Sequence, residues 1–308
     1  MKFKKPDFWK DINLVSLFLL PFSLTTLLFN NLKFFFIKEY IFKIPIICVG
    51  NIFVGGTGKT PLSIYIYNFL KKKKFNPAIV RKYYSSHLDE FDLTKSKVRN
   101  FFSEKNRALS ISKAEQNKNN VIIMDDGLQD VSIKKNLNIV CFNSVDLIGN
   151  GFLLPAGPLR DNLNKLNDCQ IAIINGKRNI KFEKKLKLIS KNLKIYNSIY
   201  EIKKGAKYKG KKILAFAGIG NPEMFFNLLK SYGINVKDKI SFPDHYNYTK
   251  KEIKNLISKA KGQNLKLITT EKDYFRIKKL GFKKIEYIPI NLKIINYKSF
   301  ERDLIKNL

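Results

Sequence analysis

The sequence contains few of the residues that build metal sites and disulfide frameworks. It has three cysteines, Cys48, Cys141 and Cys169, and only two histidines in 308 residues. The cysteines are far apart and form no Cys-x-x-Cys pair, which excludes a thiolate zinc site and gives no disulfide framework. Two histidines exclude a multi-histidine metal site. A reduced, cytosolic chain is the simplest interpretation.

Acidic residues are also scarce. The 25 Asp and Glu residues face 58 Lys and Arg residues, which gives a formal net charge of +33. Such a charge could indicate a nucleic-acid-binding protein, but lysine greatly outnumbers arginine, whose planar guanidinium suits bases and phosphates. The lysines are spread along the whole chain. We therefore predict no nucleic-acid partner, and only a general attraction to anionic lipid or phosphate.

No apolar run is long enough to cross the full hydrocarbon core of a membrane as a helix. As a helix, residues 14–29 would extend about 24 Å, against about 30 Å for the hydrocarbon core. Pro21 interrupts the run, and Ser16, Ser23 and Asn30 recur every seven residues as a polar stripe. The pattern favours a helix that lies in the membrane interface, while a true span and a buried core helix stay open.

From residue 44 onward, short apolar runs alternate with helical stretches. This alternation predicts an α/β fold of the P-loop NTPase type, with a mostly parallel sheet flanked by helices and a smaller second α/β domain. Predicted strands lie at 44–49, 78–80, 121–124, 139–142, 170–174, 213–217, 266–269 and 285–288, with one short β-like piece at 195–202. The predicted domains are a membrane-associating segment (1–40), a kinase-like domain with a lysine-rich linker from about 177 (41–205), and a carboxy-terminal domain (206–308).

A glycine-rich turn follows the first strand and ends in Gly58-Lys59-Thr60, where a helix is predicted to begin. Backbone N–H groups of such a turn hold phosphate oxygens, the lysine neutralises the β- and γ-phosphates, and the threonine ligates Mg²⁺. Phe53 stands where the general motif has glycine. The predicted nucleotide contacts are Phe53, Val54, Gly55, Gly56, Thr57, Gly58, Lys59 and Thr60.

Two adjacent carboxylates, Asp125 and Asp126, follow the apolar run 121–124. Side chains at the carboxyl end of a parallel strand point towards a nucleotide bound at that edge of the sheet. We therefore predict that this pair, together with Thr60, supplies oxygen ligands to Mg²⁺. A solvated Asp-Asp-Gly turn is the alternative.

Two further clusters are unusual. Residues 153–161 form a Pro- and Gly-rich segment that ends in Arg160 and Asp161, and can either position a charge or simply connect elements. His245 lies four residues before Thr249, which forms a capping box with Glu252 and predicts a helix start. A lone histidine is usually structural, so its function stays open at this point.

Six segments, taken together and in order, resemble the tetraacyldisaccharide 4'-kinases (lipid A 4'-kinases). They are residues 49–61, 125–129, 153–160, 215–222, 242–245 and 270–273. The resemblance implies a kinase that uses Mg-ATP to phosphorylate the 4'-hydroxyl of tetraacyldisaccharide 1-phosphate, giving lipid IVA in lipid A (lipopolysaccharide) biosynthesis. It also implies a peripheral or monotopic enzyme at the cytoplasmic face of the bacterial inner membrane, with no obligatory protein partner.

The resemblance implies roles for further residues. Asp89 corresponds to the family's catalytic base, His245 to the histidine that partners it, and Lys59 to the catalytic lysine of the loop. Asp161 stands where the family usually has a metal-binding glutamate, one methylene longer. Asp130 replaces a usual histidine, which marks a divergent member.

Two other classes of function share some of these features. A P-loop switch or transport NTPase would also use the loop and the aspartate pair, but would hydrolyse nucleotide to drive a partner. A nucleic-acid-binding protein would explain the charge and would leave the loop unexplained.

Overall fold

The structure is a computed structural model that describes residues 5–85, 88–203 and 205–308. His87 and the first four residues of the predicted membrane-associating segment lie outside the described residues. The chain forms two compact units. The large unit contains residues 5–83, 98–199 and 292–308, and the small unit contains residues 84–97 and 200–291. The sequence places one boundary near residue 205, whereas the chain passes between these units several times.

The strands alternate with helices along the chain, as the sequence pattern predicts. The strands are β1 Ile46–Gly50, β2 Pro77–Lys82, β3 Phe101–Glu104, β4 Val121–Asp125, β5 Leu137–Asn143, β6 Ile171–Asn175, β7 Lys194–Ile202, β8 Lys212–Ala217, β9 Asn235–Ser241, β10 Lys266–Thr270, β11 Glu286–Ile288 and β12 Ile290–Ile294. The helices are α1 Leu14–Phe36, α2 Lys59–Lys72, α3 Leu88–Lys97, α4 Arg107–Gln116, α5 Ile180–Ile189, α6 Pro222–Ser231, α7 Lys250–Gly262, α8 Glu271–Lys279 and α9 Tyr297–Lys306.

The larger sheet has eight strands in the order β12-β7-β6-β5-β1-β4-β2-β3. Strands β1 to β7 pair in parallel, and β1, β4 and β6 are buried along their whole length. Continuous apolar strands are typical of a parallel sheet covered on both faces. Because β1 and β4 are neighbours, the residues that follow them lie at the same edge of the sheet.

The predicted linker from about residue 177 is wrong. This stretch contains α5 and β7, and β7 pairs with β6 inside the large sheet. Phe182 and Leu186 are buried on one side of α5, whereas most of its lysines lie on the other side. The many lysines concealed an amphipathic helix in the sequence.

The small unit has its own parallel sheet, in the order β11-β10-β8-β9. One core cluster includes Phe226 and Leu229 of α6 beneath β8, and a second cluster includes Phe216, Ile253 and Ile277. The unit therefore has two packed layers around one sheet, which is the arrangement predicted for the smaller α/β domain.

Helix α1 turns its polar stripe towards the protein. Ser23, Thr26 and Asn30 donate side-chain hydrogen bonds to the carbonyls of Leu153, Leu154 and Arg160 at 2.9, 2.8 and 2.9 Å. Its apolar side chains are exposed instead, including Leu14 at 86% and Phe18 at 75%. The interpretation of α1 as a buried core helix is therefore wrong. Within the described residues, no helix meets the length and hydrophobicity needed to cross a membrane.

Candidate active site

The glycine turn between β1 and α2 has the geometry of an anion-binding loop. Gly55 and Gly58 have φ values of 131° and 89°, conformations that residues with a Cβ rarely adopt. Within the described residues, no side chain caps the amino terminus of α2, which begins at Lys59. The first-turn N–H groups and the positive end of the helix dipole therefore suit a phosphate.

Side-chain amides from outside the turn hold it in shape. Asn51 Nδ2 donates to Phe53 O at 2.7 Å and to Thr57 Oγ1 at 3.0 Å, and Asn143 Nδ2 donates to Gly56 O at 3.2 Å. Phe53 itself is only 3% exposed and packs in the hydrophobic core of the large unit. Phe53 therefore anchors the loop, and the glycines that follow it supply the close backbone approach.

Replacing Gly50 with alanine should destabilise the large unit. A Cβ at this position would lie 2.4 Å from Leu128 Cβ, which is closer than packed atoms allow. Overpacking of this kind costs about 1–3 kcal/mol, so the urea midpoint should fall. Gly262→Ala is the control, because a Cβ there meets nothing within 4 Å. A urea midpoint for Gly50→Ala equal to that of the wild type would contradict the close packing of Gly50 against Leu128.

The first of the two predicted carboxylates is buried, and both of its oxygens accept hydrogen bonds. Asp125 Oδ2 accepts hydrogen bonds from Thr60 Oγ1 at 3.0 Å and Arg81 Nη1 at 3.2 Å, and Oδ1 accepts one from Ser63 at 3.2 Å. Its side chain is 0% exposed. The structure thus joins the threonine of the loop to the acid at the end of β4.

The second carboxylate faces two cations. Asp126 Oδ1 lies 3.0 Å from Arg160 Nη2 and 3.6 Å from Lys59 Nζ. Burial raises the pKa of Asp126, but the charges of Lys59 and Arg160 lower it further, so the pKa lies well below its usual range. This carboxylate is therefore ionised, and it holds both cations beside the glycine turn.

A divalent cation suits part of this site. The adjacent oxygens of Thr60 and Asp125 are the hard donors that Mg²⁺ prefers, with remaining positions commonly filled by phosphate and water. Asp161 accepts a hydrogen bond from the backbone N–H of Asn162. No three Asp, Glu, His or Cys residues of the described chain are grouped so that they could hold a metal. The structure therefore does not gather Asp125, Asp126 and Asp161 into a single ligand set.

The small unit contains a second cluster, centred on a buried carboxylate of α3. Asp89 is 4% exposed, and its Oδ1 and Oδ2 lie 3.1 Å from His245 Nδ1 and 2.5 Å from Arg276 Nη2. Burial raises the pKa of Asp89, but the His245 hydrogen bond and the charges of Arg276 and Lys272 lower it more. The pKa of Asp89 therefore lies well below its usual range, and the carboxylate is ionised.

The neighbouring Glu90 has a different environment. It forms an ion pair with Lys272, and its Oε1 lies 3.9 Å from His245 Nε2. His245 adopts a left-handed backbone conformation with φ of 53°, and its N–H donates to its neighbour Asp244 Oδ1 at 3.0 Å. Strained conformations of this kind are often found at functional sites.

Comparison with known proteins identifies the family. Residues 15–308 match the family model described as tetraacyldisaccharide-1-P 4'-kinase. The chain belongs to the tetraacyldisaccharide 4'-kinase family. The resemblance carried by the six sequence segments is thereby confirmed, as is the activity that it implied, an ATP-dependent 4'-kinase of lipid A biosynthesis.

Individual relatives match over 90% or more of their lengths. The chain is 39% identical to the tetraacyldisaccharide 4'-kinase of Pelagibacter ubique, over 99% of this chain and 98% of that protein. It is 35% identical to the enzyme of Rickettsia bellii, over 90% of each. A crystal structure of LpxK from Aquifex aeolicus, described as an apo form in complex with ATP, superposes with a TM-score of 0.70. That structure is 23% identical and covers 96% of this chain and 99% of its own, so it confirms the α/β fold class.

Several residues of these two clusters were not predicted from the sequence. Arg81 contacts Asp125, Arg160 contacts Asp126, and Arg276 contacts Asp89. Arg160 had a weak signal, because it lies at the end of the Pro- and Gly-rich segment 153–161, whereas Arg276 had none. Arg81, whose partner Asp125 is 44 residues away in the chain, was not assigned a role.

Proposed function

We propose that the large unit binds Mg-ATP at the glycine turn, and that the small unit supplies the base that activates the 4'-hydroxyl of the acylated disaccharide 1-phosphate. The observation that carries this proposal is that the two units present charged groups of opposite sign. The large unit holds cations beside an anion-binding turn, while the small unit holds a buried, ionised carboxylate against a histidine.

At the turn, Lys59 and Arg160 stabilise the negative charge of the β- and γ-phosphates. Phosphoryl transfer has a loose transition state with charge spread over the transferred oxygens, so catalysis depends on positioned cations. Asp126 keeps Lys59 and Arg160 in place, since it contacts both. The backbone N–H groups of residues 55–60 bind the same phosphates.

Thr60 and Asp125 are the residues that would hold Mg²⁺, since their oxygens already lie side by side. The cation, when bound, neutralises phosphate charge and aligns the phosphate for transfer. Asp126 would act on the cations of the turn rather than as a ligand, because Lys59 and Arg160 face it. Asp161 stays a candidate ligand on the family resemblance alone.

Asp89 accepts the proton of the attacking hydroxyl, and His245 orients the carboxylate. An aspartate with a low pKa is a weak base, so it takes the proton late, when the oxygen has begun to bond to phosphorus. A loose transition state needs only such late proton transfer.

One assay tests the proposal against its rivals. The protein is incubated with magnesium and ATP labelled at the γ-position, with and without tetraacyldisaccharide 1-phosphate, and labelled lipid is resolved from free phosphate. Label in the lipid supports the kinase. Free phosphate alone, unaffected by the lipid, would instead indicate a switch or transport NTPase.

We propose that α1 docks the enzyme on the cytoplasmic face of the inner membrane, where a lipid acceptor and cytosolic ATP are both within reach. Its polar residues bind the loop at 153–160, and its apolar side chains point outward. A contiguous exposed apolar face with lysines around it fits the interface of an anionic bilayer.

Replacing Leu14 and Phe18 of α1 with glutamate should weaken binding to phosphatidylglycerol–phosphatidylethanolamine vesicles by about 10²-fold or more. Each of these side chains contributes about 1.5–3 kcal/mol when buried in an apolar phase. Both are exposed, so the fold should be unaffected. Leu188→Glu on α5 is the matched control, because Leu188 is 84% exposed outside α1. Wild-type vesicle binding by the Leu14/Phe18 variant would place the attachment elsewhere.

A further inference from the structure

Three of the six sequence segments meet in the small unit. Gly218 belongs to residues 215–222, His245 to residues 242–245 and Asp273 to residues 270–273. All three lie within hydrogen-bonding distance of one side chain, Arg276 of α8. A single arginine side chain thus connects the three segments.

One end of the Arg276 guanidinium is fixed in the interior. Nη1 donates to Gly218 O at 2.7 Å and to Asp273 Oδ1 at 2.8 Å. Asp273 is fully buried, and it also accepts hydrogen bonds from Tyr248 Oη at 2.9 Å and Thr270 Oγ1 at 2.7 Å. The anchor is therefore rigid and excluded from solvent.

Gly218 is required for this anchor. A Cβ at this position would lie 2.8 Å from Tyr248 Oη and 3.1 Å from Asp273 Oδ1. The backbone of Gly218 also contributes on both sides, because its N–H donates to Asp273 Oδ2 at 3.0 Å while its carbonyl accepts from Arg276. A larger residue would push the anchor apart.

The other end of the guanidinium reaches the carboxylate assigned as the base. Nη2 lies 2.5 Å from Asp89 Oδ2 and 3.4 Å from His245 Nδ1. A guanidinium is planar and rigid, so holding Nη1 also fixes the position of Nη2. The Arg276 side chain is 10% exposed, which leaves it little freedom to move.

We infer that Arg276 is a positioning residue for phosphate transfer, which holds the carboxylate of Asp89 in register with His245 from the buried Asp273 anchor. The inference rests on the proposed function of Asp89 as the base. It goes beyond that proposal because Arg276 acts on the base and not on the substrate.

Arg276 has two opposing effects on Asp89. Its charge, with the His245 hydrogen bond and the charge of Lys272, lowers the pKa of Asp89 and makes it a weaker base, while Glu90 and Asp244 nearby are of the opposite sign. Its hydrogen bond fixes where the carboxylate points. If basicity limited the reaction, removing Arg276 would raise kcat. If position limits it, as we infer, removing Arg276 lowers kcat.

The test is the kcat of Arg276→Gln in the full-length protein. We expect kcat to fall by about 10²-fold, the effect of a misplacement near 1 Å, with KM for ATP unchanged. The acid limb of the kcat profile should move upward by about 1–3 pH units, because an opposite charge at this distance has been lost. Arg276→Lys should keep the acid limb in place and recover part of kcat.

Lys279→Gln is the matched control. Lys279 also joins α8 to α3, through an ion pair with Asp92 at 2.5 Å, but it does not touch Asp89. Its kcat and pH profile should equal those of the wild type. In an Asp89→Asn background, Arg276→Gln should change kcat by no more than about twofold, because residues that act as a unit are not additive.

The outcomes distinguish the positioning role of Arg276 from the role of Asp89 as the base. Wild-type or raised kcat in Arg276→Gln, or a full additional loss in the Asp89→Asn background, would overturn the positioning role while leaving Asp89 as the base. Wild-type kcat in Asp89→Asn would overturn the proposed function first. If Arg276→Gln does not fold, Asp273→Asn replaces it, since this change keeps Arg276 but removes the charge of its anchor. A wild-type kcat there would overturn the inference as well.

Discussion

Replacing Lys59 with alanine should reduce phosphate transfer by about 10²-fold or more while the protein stays folded. Lys59 is a cation at the glycine turn, and loss of a positioned charge that stabilises the transition state typically has an effect of this size. Its partner Asp126 keeps Arg160 at 3.0 Å, so this half-buried carboxylate is not left without a cation. The measurement is kcat for label transfer to the lipid, beside the thermal midpoint of each protein.

Lys71→Ala is the control for Lys59→Ala. Lys71 lies on the same helix, in its last turn and exposed, far along the chain from the glycine turn. Its removal changes the net charge by the same amount and should leave kcat unaltered. A Lys59→Ala protein that keeps more than about a tenth of the wild-type rate would show that ATP does not bind at this turn.

The fold of the large unit could be predicted because its signals are local. Short apolar runs gave β1, β4 and β6, and Gly58-Lys59-Thr60 after a strand gave the phosphate loop and the start of α2. These patterns depend on neighbours in the chain and on backbone geometry, so sequence alone contains them. Helix α5 was missed because its many lysines hid its apolar side.

The orientation of α1 could not be predicted from the sequence, for a different reason. The seven-residue recurrence of Ser16, Ser23 and Asn30 predicted a helix with a polar stripe, but not which way the stripe would face. Its hydroxyls and amide find carbonyl partners on the loop at 153–160, whose backbone groups need hydrogen bonds. The apolar side chains then point outward, the reverse of an ordinary surface helix.

The roles of two buried arginines could not be predicted from the sequence, for a physical reason. Arg81 and Arg276 each pair with a carboxylate distant in the chain, Asp125 and Asp89 respectively. Charge alone does not distinguish them in a chain with so many basic residues. Only burial does, since a buried charge must have a partner.

The largest effect should come from the base. Replacing Asp89 with asparagine should lower kcat by about 10²–10⁴-fold, the usual contribution of a general base, with much less change in KM for ATP. Asparagine keeps the shape of aspartate, and its carbonyl oxygen can still accept a hydrogen bond from Arg276. It cannot accept a proton at neutral pH, so chemistry is lost while the cluster stays packed.

His245→Ala should lower kcat as well, because His245 Nδ1 lies 3.1 Å from Asp89 Oδ1 and orients it. The double variant should be little slower than the slower single one, since the two residues act as a unit. Additive losses would instead mean that His245 has a separate function in the reaction.

The adjacent carboxylates decide whether the base has been assigned to the correct residue. Glu90 pairs with Lys272 and Asp92 pairs with Lys279, so neither is held between His245 and Arg276 as Asp89 is. Glu90→Gln and Asp92→Asn should therefore retain most of the wild-type kcat. If Asp89→Asn runs near the wild-type rate while one of these variants is inactive, the base lies at that neighbouring position. The assignments at the glycine turn would survive, because they rest on the strand, loop and helix around Lys59 and not on α3.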